Sequence, residues 1–150
     1  MEIAGSAALV TGAASGLGAA TAAALAARGA GVYGLDLEKA LVGASPPDGV
    51  MLVPADVTEE AGARAALARI DDDGQQLRLA VNCAGIAPSA RIVSRRGPHD
   101  LDLFRTVVGV NLVGTFNVVR LAADAMSELA SESMSQRLRA APTERSEGER

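Results

Sequence analysis

The stretch Thr11-Gly12-Ala13-Ala14-Ser15-Gly16-Leu17-Gly18 constrains this chain more than any other, because it joins an apolar run, Ala7-Ala8-Leu9-Val10, to an alanine-rich segment of helical character. Glycines at this spacing between a strand and a helix do separate jobs. Gly12 can take the positive φ of a tight turn, Gly16 removes a Cβ where backbone must approach a pyrophosphate, and Gly18 permits close packing of helix on sheet. Free first-turn amides and the positive end of the helix dipole then face the phosphates. Ser15 and Leu17 share the turn and count with the glycines as cofactor-binding positions. A ligand-free glycine turn could be spelled the same way; the strand–turn–helix setting favours a dinucleotide.

The rest of the chain repeats the alternation. Helix one is expected over Gly16 to Arg28, ended by Gly29 and Gly31, and strand two over Gly31 to Leu35, closing at Asp36. Between Glu38 and Gly49, with Pro46 and Pro47, only a short helix and a loop fit. Strand three is Val50 to Val53, Thr58 is the N-cap candidate for a helix over Glu59 to Ile70, and Asp71-Asp72-Asp73-Gly74 reads as a solvated turn. Strand four is Leu79 to Asn82; Ile86 to Pro98 is a long connection, and a helix runs from Asp100 through Asn111 toward Met126. Such βαβ alternation predicts an α/β fold, a three-layer, doubly wound parallel sheet of Rossmann type, in the order 3-2-1-4 with the fourth strand as an open edge. Residues 1–126 form the expected NAD-binding domain. Residues 127–150 are a polar tail, either a helical extension with Met126, Ala130, Met134 and Leu138 on one face and Pro142 ending it, or disordered.

At 150 residues one core is expected, and 49% hydrophobic with 21% charged residues excludes a disordered acidic chain. Aromatics are 2% with no Trp, which argues against stacking on single-stranded nucleic acid, and a net charge of −4 offers no basic footprint for a phosphate backbone. Cys83 is the only cysteine, so neither an internal disulfide nor a cysteine zinc cage can form, no metal site is assigned, and a cytoplasmic address is expected. Met1 to Ser6 lacks the features of a signal peptide. No uninterrupted apolar run reaches membrane-spanning length, so no membrane partner is expected.

Asp36 adds the next constraint. A carboxylate at the end of strand two can accept hydrogen bonds from both adenosine ribose hydroxyls and would repel a 2′-phosphate. No Arg or Lys stands at Ala13, Ala14 or Leu37, which favours NAD over NADP. The alternative is a solvated strand-end aspartate.

In order and approximate spacing, Thr11-Gly12-x-x-x-Gly16-x-Gly18, Asp36, Asp56-Val57, Asn82-Cys83-Ala84-Gly85 and Asn111 resemble the short-chain dehydrogenases/reductases, over about Ile3 to Met126. Within them, Pro54-Ala55-Asp56-Val57-Thr58, the segment from Ala80 to Ala87, and Val110 to Val118 are similar to the type-2 3-hydroxyacyl-CoA dehydrogenases, enzymes that also accept hydroxysteroids. The resemblance implies that Asp56 bonds the adenine amine and the Val57 amide a ring nitrogen; on the residues alone, Asp56 could instead cap the next helix. It implies that Asn82, Ala84 and Gly85 support the cofactor, with Cys83 replacing a commoner asparagine as a small buried residue. Asn111 would support a water in the proton relay to a catalytic lysine, or else be satisfied by backbone. His99 is expected to be exposed and is given no role.

The family's chemistry needs a carbonyl-polarising Ser and a Tyr-x-x-x-Lys pair. The only tyrosine here is Tyr33, in strand two, and the only lysine is Lys39, so neither carries over. Ala141 to Arg150 resembles the polar loop before the family's next strand, so the chain is expected to stop where the catalytic half would begin. The resemblance implies reversible NAD-dependent oxidation of a secondary alcohol such as a 3-hydroxyacyl-CoA or hydroxysteroid; the alternative is a catalytically incomplete NAD-binding fragment. Phe104, Val107, Val108, Leu112, Val113, Phe116, Val119 and Leu121 supply more apolar surface than one sheet face covers. In the family this region helps form a subunit interface, which implies a homo-oligomer.

Overall fold

Every residue of Ala7–Thr11 is buried, which is the mark of a strand covered on both faces and flanked on both sides. The computed structural model describes residues 2–95 and 97–140, with side chains to Ser127. It contains a four-stranded parallel sheet in the order β3-β2-β1-β4, built from β1 (Ala7–Thr11), β2 (Gly31–Asp36), β3 (Val50–Pro54) and β4 (Leu77–Asn82). The expected fold class and strand order hold. Register aligns the carboxyl ends: Thr11 faces Leu35 on one side and Asn82 on the other, and Asp36 faces Pro54.

Alternation divides the core into two halves. Ala8, Val10 and Val32 meet Ala22 of α1 (Gly16–Ala26) on one face. On the other, Leu9, Tyr33 and Leu35 meet Ala63, Ala66 and Ile70 of α3 (Glu60–Asp72) together with Val118, Leu121 and Ala122. Leu9, Leu35 and Leu77 are among the largest fully buried side chains, each worth about 1.5–3 kcal/mol of transfer free energy. Between β2 and β3 lies only the four-residue α2 (Glu38–Leu41).

Several local expectations are corrected. Helix α1 stops at Ala26, because Gly29, at φ +83°, turns the chain while the Arg28 and Gly29 amides bond the Leu25 and Ala26 carbonyls. Thr58 does not cap α3: its amide and hydroxyl both bond Asp56 Oδ1, and the helix begins at Glu60. Asp71 and Asp72 belong to α3. Asp73, expected in a solvated turn, accepts from the Tyr33 hydroxyl at 2.8 Å and from Arg69 Nε at 3.1 Å. The long connection contains a short antiparallel pair, β5 (Val93–Ser94) and β6 (Gly97–Pro98). His99 is half-buried rather than exposed, with its amide on the Ile92 carbonyl.

The long helix is not uniform. It comprises α4 (Leu101–Val108), capped by the Asp100 side chain, a π-helical segment (Gly109–Gly114) and α5 (Thr115–Ala140). Leu121 is buried, and Val107 and Val108 are half-buried; Leu101, Phe104, Leu112, Val113, Phe116 and Val119 stand exposed. By length and composition Leu101–Ser127, with mean hydropathy 1.4, could cross a membrane, although Asp102, Arg105, Arg120 and Asp124 interrupt its apolar run. Its inner side is nevertheless occupied by the sheet, through Val118, Leu121 and Ala122. The expectations for the side chains of Ala130, Met134 and Leu138, and for Pro142 and the loop from Ala141 to Arg150, lie outside the described residues.

Tyr33 offers a clean test of this packing, since it is the only tyrosine in a chain without tryptophan. Burial, then the hydrogen bond to Asp73 and that carboxylate's charge, pushes its phenol from 10.0 up to about 12. Because the folded value lies above the unfolded one, the stabilisation is complete below pH 10 and is lost as pH rises through about 12. Ultraviolet titration should therefore show phenolate appearing later in the native chain than in urea; superimposed curves would refute the buried pairing.

Candidate functional site

Four parallel strands end side by side, and the turns that leave them enclose a crevice of about 400 Å³. Gly12, Ser15, Gly16, Leu17 and Gly18 form one wall. Leu35 and Asp36 end β2 and Leu37 follows it; Ala55, Asp56 and Val57 follow β3; Cys83, Ala84, Gly85 and Ile86 follow β4; and Val110 closes the far side. Of the residues singled out in the sequence, Asn82 and Asn111 alone stand outside this lining.

The glycine turn has the geometry its spelling demands. Gly12 has φ +69°, and a Cβ there would stand 2.8 Å from the Ala84 nitrogen, so this glycine lets the β1 turn close against the β4 segment. A Cβ on Gly18 would lie 2.0 Å from the Gly12 carbonyl oxygen and 3.0 Å from that of Thr11, so this residue seats the helix close against its own turn and the end of β1. Gly16 has φ +54° with nothing within 4 Å of where a Cβ would point. Ser15 occupies the N-cap position in extended backbone, yet its side chain makes no cap bond and the first turn carries no acidic residue. The α1 amino terminus therefore retains its uncompensated donors.

Asp36 is neither a free acceptor nor a solvated strand end. Its Oδ2 accepts from the Ala14 amide at 2.9 Å and its Oδ1 from the Leu37 amide at 2.8 Å, so it ties the end of β2 to the glycine turn while remaining half-exposed. Each oxygen keeps a further lone pair. Asp56 does not cap α3 as a helix N-cap; its Oδ1 closes a local turn with Thr58, and its Oδ2 makes no bond among the described residues. Among the described residues no Lys or Arg lines the crevice.

Thr11 is the residue that motif reading passed over. Buried at the end of β1, its Oγ1 accepts from the amides of both Cys83 and Ala84 at 3.1 Å. A hydroxyl ending a strand beside a glycine turn was the available signal. Cys83 is half-buried in the crevice wall, not enclosed in the core as expected, because its backbone is drawn to Thr11 at the rim. Asn82 Oδ1 is buried without a hydrogen-bond partner among the described residues. Asn111, on the π-helical segment, spends both side-chain groups on one neighbour: Nδ2 donates to the Ile86 carbonyl and Oδ1 accepts from the Ile86 amide, each at 2.9 Å. Behind Val57, Asn117 donates to the Val57 carbonyl at 2.9 Å, a contact no sequence motif announced. Tyr33 points away from all of this, its hydroxyl held at the opposite end of the sheet by Asp73, which precedes β4.

Open helix-terminal donors, a glycine with free space above it, and two carboxylates with lone pairs to spare fit a dinucleotide, its phosphates at the glycines and its hydroxyl and amine donors toward Asp36 and Asp56.

Residues 6–134 match the family model described as short chain dehydrogenase. The chain is similar to 3-hydroxyacyl-CoA dehydrogenase type-2 of Drosophila melanogaster, at 45% identity over 123 residues, covering 79% of this chain and 48% of that protein. It is similar to the Homo sapiens protein of the same name at 40% over 132 residues, covering 85% and 51%. It thus spans about half the length of these curated relatives. Among solved structures, a ligand-free aldohexose dehydrogenase of Thermoplasma acidophilum shares the fold with a TM-score of 0.71 at 24% identity, covering 83% of this chain and 45% of that one.

Replacing Thr11 by Val keeps the shape and removes the acceptor shared by two amides. We expect a loss of about 1–3 kcal/mol in stability and faster hydrogen exchange at Cys83 and Ala84. Unchanged exchange at both amides would show that the hydroxyl does not hold the rim.

Proposed function

Because the chain belongs to the short-chain dehydrogenase family, we propose that its crevice binds NAD(H) for an oxidoreductase acting on a secondary alcohol, with a 3-hydroxyacyl-CoA or a hydroxysteroid as substrate. The observation that carries the reading is Asp36, fixed by Ala14 and Leu37 at a crevice that no cation lines among the described residues. Its carboxylate would take the adenosine ribose hydroxyls and repel a 2′-phosphate. The α1 amino terminus would hold the pyrophosphate, Gly16 would let it approach, and Asp56 with Val57 would take the adenine. Asn82, through its strand end, and Ala84 with Gly85 would support the nicotinamide side. When bound, NAD supplies the hydride acceptor.

A second reading rests on Tyr33. The one tyrosine is committed to Asp73 away from the crevice, and no Tyr-x-x-x-Lys pair occurs in these 150 residues, so no side chain here supplies the hydroxyl proton transfer. Asn111, whose place in a relay would be supporting only, has its side chain closed on Ile86. We read the 150 residues by themselves as a cofactor-holding unit without turnover.

Calorimetry with both cofactors, followed by a reduction assay on the same preparation, tests both readings. NAD(H) should bind tighter than NADP(H), Asp36→Ala should narrow the difference, and 3-hydroxyacyl-CoA or hydroxysteroid should give no turnover. Equal affinities sink the cofactor choice; robust turnover sinks the second reading.

The partner we propose is a second copy of the chain. Leu101, Phe104, Leu112, Val113, Phe116 and Val119 form an apolar stripe of the kind monomers seldom expose, and β4 is an unpaired sheet edge. Sedimentation should show self-association that Phe116→Asp weakens, whereas a stable wild-type monomer across micromolar concentrations would refute it.

A further inference from the structure

We propose that Asn117, oriented by Arg120 and Glu60, is a positioning residue that sets the Asp56–Val57 turn for recognition of the adenine amine; this rests on the dinucleotide reading above. Val57 is buried at the crevice, and its carbonyl accepts from Asn117 Nδ2 at 2.9 Å across 60 residues of sequence. Asn117 is itself only 7% exposed, so an unpaired carbonyl at this place would be costly. Gly114, one turn earlier, allows the approach: a Cβ there would stand 2.6 Å from Val57 Cγ2.

The amide has only one workable orientation. Arg120 Nη2 donates to Asn117 Oδ1 at 2.8 Å and to Glu60 Oε2 at 2.6 Å. A guanidinium has donors alone, so Asn117 must turn its oxygen toward Arg120 and its NH₂ toward Val57. The half-exposed Arg120–Glu60 pair contributes little as an ion pair, and its effect is to exclude the flipped amide. Glu60 begins α3, so the contact ties both ends of the turn to α5.

Within the turn, Thr58 locks Asp56 Oδ1, which leaves Oδ2 as the acceptor with no partner among the described residues. Thr58 therefore fixes the carboxylate locally, and Asn117 fixes the backbone that carries it. A strut that served stability alone would lower affinity for every dinucleotide alike. One that positions Asp56 changes which base is preferred.

The test compares NADH with its deamino analogue, in which a carbonyl oxygen replaces the adenine amine, by fluorescence titration of the full chain. Wild type should bind NADH about tenfold tighter or more, the scale of one hydrogen bond to a charged acceptor. In Asn117→Leu that ratio should collapse toward unity. Arg120→Met, a change at a half-exposed site that lets the amide flip, should lower the ratio in the same direction and serves if Asn117→Leu does not fold. A wild-type ratio retained in the folded variants overturns the proposal, as does a wild type that binds both dinucleotides equally well. A wild type that binds neither overturns the dinucleotide reading itself, and with it the role given to Asn117.

Discussion

The site depends on one buried hydroxyl. Parallel strands cannot be closed by tight turns, so beyond the last ladder pairs the chain segments are joined by what the departing loops exchange. Here Thr11 Oγ1 gathers two amides from the β4 rim, and Asp36 gathers the Ala14 amide from the glycine turn. These side-chain acceptors supplement backbone pairing where the ladder runs out: the Cys83 amide also reaches the Thr11 carbonyl at 3.3 Å, while the Ala84 and Ala14 amides have side-chain partners. The crevice is thus a product of satisfied backbone polarity at the point where four strands run out.

The second support comes from the helix that crosses behind it. Asn111 pins Ile86 on one side of the crevice and Asn117 pins Val57 on another, and both lie on or just beyond the π-helical segment. A π turn displaces the residues after it relative to a continuous α-helix and commonly marks functional positions. It sets Asn111 and Asn117 so that each meets a different loop. The same helix buries Val118, Leu121 and Ala122 in the core and leaves Phe116 and Val119 facing outward. One element therefore serves sheet, crevice and outer surface.

How far the sequence could be read follows from these contacts. Strands announced themselves because short apolar runs bounded by glycine allow few alternatives, and the order of the sheet followed from the βαβ pattern. Gly12, Gly16 and Gly18 were legible because each is required by backbone geometry. Asn117 and the Tyr33–Asp73 pair were not, since each depends on a partner 40 or more residues away that no local pattern marks, and Thr11 offered only its place at a strand end, the amides it holds lying 72 and 73 residues on. Thr58 was misread for a related reason: its hydroxyl had a competing acceptor two residues upstream in Asp56. The interruption of the long helix left no signal either, because no proline stands between Leu101 and Ser127.

The reach of the Thr11 hydroxyl has a consequence for assembly on the ribosome. Strands β1, β2 and β3 can pair once the chain has emerged through Pro54, but the two donors for Thr11 lie 72 and 73 residues downstream. Loop closure over that span must be met before the rim can form, and Ile86 then waits for Asn111, a further 25 residues on. The crevice is in this sense completed well after the first three strands have paired. A nascent chain stalled short of Cys83 carries the glycine turn yet lacks the wall that faces it.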